Sequence, residues 1–221
     1  VGPADKIRAT ADKYQIDIGR FEIVDVPHSH AAAAKAVELV RNGRAEVLMK
    51  GSLHTDELMH EAMRADTGIR TERRVSHVFC MDVPSYHKLL LITDAAINIY
   101  PGLDDKRDIC QNAIDLARIL GIERPKVAIL SAVETISVKI ASTTEAASLC
   151  KMADRGQIVG GLLDGPLAMD NAISKVAAEI KGIKSEVAGD ADILLVPDLE
   201  AGNILAKQLT FMAQADAAGI V

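Results

Sequence analysis

Residues 191–207 read ADILLVPDLEAGNILAK, and the reading of this stretch decides the fold. Ile193, Leu194, Leu195 and Val196 form a continuous apolar run, the pattern of a short strand buried on both faces of a parallel sheet. Pro197 stops the run, and Asp198 stands where a helix N-cap belongs. Glu200 puts negative charge in the first turn, and Leu205, Leu209 and Met212 recur at helical spacing. The stretch therefore predicts strand, tight turn and helix. In open α/β sheets, ligands bind where strands end and helices begin. Gly202 would let a ligand approach the backbone, and free N–H groups at a helix start suit an anion. The same residues also suit a capped helix with no ligand, so the case for a site rests on whether other turns repeat the pattern.

Working outward, residues 158–163 predict the preceding strand and 170–180 a helix. Residues 126–130 predict a strand, and 103–120 and 143–154 helices. Residues 75–83 and 89–93 read as strands joined by a short turn at Pro84-Ser85-Tyr86-His87. That join implies an antiparallel hairpin and hence a mixed sheet. Residues 67–74 are a polar break with Gly68, Arg70, Arg73 and Arg74. Before it, helices over 3–14, 29–42 and 55–65 alternate with strands over 21–26 and 47–49, the pattern of a parallel sheet with crossover helices. The expected domains are 1–72, a first α/β domain lacking its N-terminal strand, and 73–221, a second with a mixed sheet. The last helix is expected to lead back towards the first domain. The chain opens without Met on Val1-Gly2-Pro3 and stops at Gly219-Ile220-Val221 as an apolar run begins, so both ends are expected to be truncated.

Composition narrows the function. A chain of 221 residues that is 49% hydrophobic is globular, with an ample core. A net charge of −6 without a basic tract argues against nucleic acid and anionic membranes as partners. No apolar run is long enough to span a bilayer and no signal peptide is evident, which points to the cytoplasm. Cys80, Cys110 and Cys150 are far apart and odd in number, which suits reduced thiols and not a disulfide or zinc framework. The six histidines make no ligand pattern, so no metal is expected. Aromatic content of 3% offers no base-stacking platform, and no GxGxxG supports a dinucleotide fold.

Three further turns repeat the first pattern. Lys50-Gly51-Ser52-Leu53-His54-Thr55 follows a strand and precedes a helix. Its lysine, hydroxyls and helix N–H groups could hold a phosphoryl oxygen, although the order is not that of a Walker loop. Thr93-Asp94-Ala95-Ala96-Ile97-Asn98 puts an acid at a strand end, where Asp94 could be a base, a substrate contact or an ordinary turn residue. Leu163 to Asn171 carries Asp164, Asp170 and Asn171 around Gly165-Pro166. A carboxylate pair there could serve acid–base chemistry or cap the next helix. Each turn is ambiguous alone; their repetition favours a cleft at strand C-termini.

Four segments, in this order, resemble the phosphate acetyltransferase/phosphate butyryltransferase family. They are Met49 to Ser52, Thr93 to Asn98 with Pro101, Leu163 to Ser174, and Pro197 to Asn203. The chain looks closest to the phosphate acyltransferase part of bifunctional enoyl-CoA hydratase/phosphate acetyltransferases. The resemblance implies two α/β/α domains with a cleft between them, like isocitrate and isopropylmalate dehydrogenases. It implies acyl-CoA plus phosphate interconverting with acyl phosphate plus CoA, a homodimer, CoA as substrate and no cofactor. The catalytic serine, arginine and aspartate are expected beyond Val221. The expected binding residues are Lys50, Gly51, Ser52, His54, Thr55, Asp94, Asn98, Asp164, Asp170, Asn171, Asp198, Glu200 and Asn203. The alternatives are a non-catalytic CoA-binding or dimerising fragment, or a decarboxylating dehydrogenase of similar fold.

Overall fold

The computed structural model describes residues 1–221 as two compact units, Val1–Arg73 and Arg74–Val221. In the first unit, α1 (Ala4–Tyr14), α2 (Ser29–Arg41) and α3 (Thr55–Ala62) carry the regular structure. His28 caps α2, its Nδ1 accepting from the Ala31 N–H at 3.2 Å. Ala33 and Val37 bury the inner face of α2, which packs on α3. The expected strands over 21–26 and 47–49 are absent as ladders, leaving one parallel bridge between Gly2 and Asp25. A strand exists only with a partner, and residues 47–49 pair with none: Val47 is 80% and Met49 97% exposed.

The second unit holds the sheet. In chain order its elements are β1 (Val78–Asp82), β2 (Leu90–Thr93), α4 (Leu103–Ile119), β3 (Lys126–Leu130), α5 (Ala141–Asp154), β4 (Leu162–Leu167), α6 (Met169–Ile173), α7 (Lys175–Ile180), β5 (Ile193–Leu195), α8 (Leu199–Met212) and β6 (Asp216–Ile220). The strand order is β4-β3-β5-β2-β1-β6. β4, β3, β5 and β2 are parallel, and β1 is antiparallel to both β2 and β6. The dehydrogenase-like pair of α/β/α domains is therefore corrected: the chain forms one mixed sheet, because only residues beyond Arg74 find ladder partners.

Alternation along the strands builds two cores. Leu91, Val127, Ile129, Ile193 and Leu195 face α4 and α5, where Ile109, Ala113, Ile114, Ala146 and Leu149 close over them. Ile92, Ala128, Leu130, Leu194 and Val196 face the other layer, with Ala172, Ala178, Leu205 and Leu209 from α6, α7 and α8. β4 begins later than expected and carries Asp164, Gly165 and Pro166 inside the strand. A Cβ on Gly165 would stand 2.8 Å from the Ile129 Cβ, so glycine lets this edge strand close against β3. The helix expected over 170–180 breaks at Ser174, whose hydroxyl caps α7 by accepting from Ala177 N–H. No helix is long and apolar enough to cross a membrane.

The edge where the parallel strands begin is closed by charge. Asp190 binds Lys126, Lys88 (3.1 Å) and His87 (2.9 Å), and Asp192 binds Lys88 at 2.7 Å. Burial alone would raise the Asp190 pKa, but the bonds from Lys126, Lys88 and His87 outweigh it and hold the carboxyl well below its ordinary value. A depressed carboxyl pKa gives stability that is complete above the unfolded value and lost as pH falls through the folded one. Asp190→Asn is expected to cost about 2 kcal/mol at neutral pH. The deficit relative to the parent should shrink as both are titrated below about pH 4. Urea unfolding midpoints across pH check this.

Candidate functional site

All four parallel strands end on the opposite edge, so the loops β2–α4, β5–α8, β3–α5 and β4–α6 gather there. In the first, Asp94 is 3% exposed and its carboxylate is fully committed. Oδ1 accepts from the Ala96 and Ile97 N–H groups, both at 2.9 Å. Oδ2 accepts from His77 N–H at 3.1 Å and from Asn98 Nδ2 at 2.6 Å. Asn98 also donates to the Val75 carbonyl (2.9 Å) and accepts from Arg74 Nε (2.6 Å), while Arg74 Nη1 reaches Asp105 at 3.1 Å. Burial lowers the His77 pKa, with Asp94 opposing it. Asp94 and Asn98 thus organise the loop, and Asp94 has no free lone pair for a base.

The β5–α8 loop is locked to this one. Asp198 caps α8 by accepting from Ala201 N–H at 2.9 Å, and Leu199 N–H donates to the Ile99 carbonyl at 3.1 Å. Asn203 Nδ2 donates to the Ala95 carbonyl at 3.2 Å. A Cβ on Gly202 would lie 2.8 Å from Val196 Cγ2, 2.9 Å from Ala95 Cβ and 3.0 Å from the Asp94 carbonyl. The close backbone approach expected at Gly202 is therefore to the neighbouring loop. Glu200 points to solvent in the first turn of α8.

The β3–α5 loop carries hydroxyls. Ser131 and Ser142 share a hydrogen bond of 2.8 Å, and Ser131 N–H is fixed to the Leu167 carbonyl. α5 starts with no side-chain cap and no acid in its first turn; the Thr143 N–H turns back to the Ile140 carbonyl at 3.0 Å, which leaves the N–H groups of Ala141 and Ser142 available to an anion. Behind it, the buried Lys106 of α4 pairs with Glu145 of α5. None of these four was among the expected site residues. Their partners lie 11 and 39 residues away, and no local pattern signals such pairs.

The β4–α6 residues do not converge. Asp164 lies inside β4 opposite Ala128, its Oδ1 accepting from Gly165 N–H. Asp170 accepts from Asn171 N–H at the start of α6. Asn171 is fully buried, its Nδ2 3.4 Å from Glu134 and its Oδ1 without a partner; Glu134 in turn pairs with Lys181 at 3.0 Å. In the first unit, the Lys50 to Thr55 loop is exposed, with Lys50 Nζ donating to the Leu53 carbonyl at 3.0 Å. Gly51 has open space around it, and His54 precedes α3 without capping it through its side chain.

No protein thiol is poised as a nucleophile: burial pushes both Cys110 and Cys150 up to about 12. No three His, Cys, Asp or Glu side chains are grouped to hold a metal ion.

A family model described as phosphate acetyl/butaryl transferase matches residues 4–221. The chain belongs to this family. It is 68% identical over 221 residues to a phosphate acetyltransferase of Rhizobium meliloti, covering all of this chain and 70% of that protein. It is 55% identical to a phosphate acetyltransferase of Rickettsia felis, of which it spans 64%. The structure matches that of a branched-chain phosphotransacylase from Enterococcus faecalis V583 with a TM-score of 0.82 and 35% identity, over 89% of this chain and 70% of that one. The resemblance carried by the four turn motifs holds. The phosphate acetyl/butyryltransferases are acyltransferases, so the expected enzyme class and phosphate acyltransferase reading hold with it. A phosphotransacylase neighbour also replaces the dehydrogenase-like architecture expected from sequence.

Proposed function

We propose that the protein interconverts acyl-CoA and phosphate with acyl phosphate and CoA. The supporting observation is the β3–α5 turn, which sets the Ser131–Ser142 hydroxyls beside an uncapped helix N-terminus where four parallel strands end. In one direction the CoA thiolate attacks the acyl carbonyl, the carbon–oxygen bond to phosphate breaks, and phosphate leaves with the electron pair. Fixed N–H and O–H donors stabilise that developing charge. Hydroxyls and helix N–H groups are the donors such a leaving group needs. CoA acts as a substrate, the protein works as a homodimer, and it resides in the cytoplasm. Asp94, Asn98, Asp198 and Asn203 position the loops around this turn. Incubation with acetyl-CoA and phosphate is expected to release free thiol in a phosphate-dependent way. NAD-dependent oxidation of a 2-hydroxy acid without thiol release would favour the dehydrogenase alternative.

The Lys50 to Thr55 loop of the first unit is an anion contact in its own right, for a phosphoryl group or a CoA phosphate. Lys50 donates to the Gly51 and Leu53 carbonyls and keeps one spare ammonium donor, and Ser52 and Thr55 add hydroxyls in an exposed loop. Ser52→Ala combined with Thr55→Ala is expected to weaken phosphate use by about 1–3 kcal/mol, read as kcat/KM for phosphate. Unchanged kinetics would return the loop to a plain helix entry.

A further inference from the structure

We propose that Ile99, Tyr100, Ile136 and Val138 form the surface that reads the hydrocarbon chain of the acyl group. The inference rests on the acyltransferase reading above. These side chains are 60%, 74%, 64% and 90% exposed, on the two loops that flank the site edge. Ile99 and Tyr100 lie just ahead of α4, and Ile136 and Val138 just ahead of α5. The strands feeding the loops, β2 and β3, are separated only by β5, so they are roughly 10 Å apart. The Lys106–Glu145 pair ties the two helices together near their N-terminal ends.

Both loops are braced from behind. The Ile99 carbonyl accepts from Leu199 N–H at 3.1 Å, and the Asp94 bonds hold residues 96–98. Buried Thr143 accepts from Ser137 N–H at 2.9 Å, and its hydroxyl lies 2.8 Å from the Ile140 carbonyl. A braced loop that holds large apolar side chains in water is built to be covered by something apolar. Substrates of this reaction share phosphate and CoA and differ only in the alkyl group. An apolar surface next to the donors of the β3–α5 turn is where that difference is felt. Each methylene read by an apolar contact is worth roughly a factor of ten or more in discrimination.

The test uses the full-length protein and compares kcat/KM for acetyl-CoA and butyryl-CoA. Val138→Ser and Tyr100→Ser are each expected to lower the butyryl-to-acetyl ratio by about 5- to 30-fold. Ile119→Ser, an equally exposed apolar residue at the far end of α4, is the control and leaves the ratio unchanged. A ratio that moves no more than in Ile119→Ser, with thiol release intact, overturns this inference alone. A shift in oligomeric state at constant ratio overturns it in favour of a subunit contact. Absence of phosphate-dependent thiol release in the parent overturns the acyltransferase reading, and this inference with it.

Discussion

Asp94→Ala is expected to be the most damaging single substitution at the candidate site. Its carboxylate satisfies four donors: the N–H groups of His77, Ala96 and Ile97, and Asn98 Nδ2. Alanine leaves all four without an acceptor; Asp94 and Asn98 are both buried, His77 and Ile97 are half-buried, and only Ala96 is open to water. An orphaned buried donor costs on the order of 1–3 kcal/mol, and partial relaxation trims the sum. A loss of about 3–5 kcal/mol follows, or roughly 10 °C in Tm for a chain of this size. Asp94→Asn keeps the shape but offers only one acceptor oxygen, so it should fall between the parent and Asp94→Ala. Thermal unfolding of the three proteins orders them. If Asp94→Asn matched the parent in stability yet abolished thiol release, Asp94 would be reacting chemically and not organising the loop.

The same network shows how far the sequence could be read. Ile193 to Val196, Pro197 and Asp198 are local signals, and strand, turn and N-cap fall where those residues put them. The short turn at residues 84–87 likewise implied the antiparallel hairpin of β1 and β2. The strands expected over 21–26 and 47–49 depended on partners, which a run of apolar residues does not supply. Asp94 was legible as a turn acid at a strand end. Its bond to His77, 17 residues away, was not, and that bond helps turn a candidate base into a loop organiser. Asp190 was missed altogether, because Lys126 and His87 lie 64 and 103 residues from it. Gly202 matters for the absence of a side chain, which its sequence position does convey. What occupies the freed space is the neighbouring loop, and only the fold could say so.

That packing sets the second large effect. Gly202→Val is expected to destabilise the protein by about 3 kcal/mol or more, and Gly202→Ala by about 1–2. Two opposing terms decide the sign. Glycine inside α8 costs helix stability, so alanine there gains up to about 1 kcal/mol of propensity. Against this, the new Cβ would sit 2.8 Å from Val196 Cγ2, 2.9 Å from Ala95 Cβ and 3.0 Å from the Asp94 carbonyl. The last contact is backbone, and the residue it belongs to is pinned by four hydrogen bonds, so it cannot yield cheaply. The Ala95 side is likewise held, because the Ala95 carbonyl accepts from Asn203 Nδ2. Steric strain therefore outweighs propensity, and the added methyls of valine deepen it. Relief comes only by lifting α8 from the β2–α4 loop, which breaks the Asn203–Ala95 and Leu199–Ile99 bonds. Acyl transfer should then fall together with Tm. Hydrogen exchange should speed up first at Leu199, whose N–H spans the two loops. A Gly202→Ala protein as stable as the parent, or more so, would falsify the close packing described here.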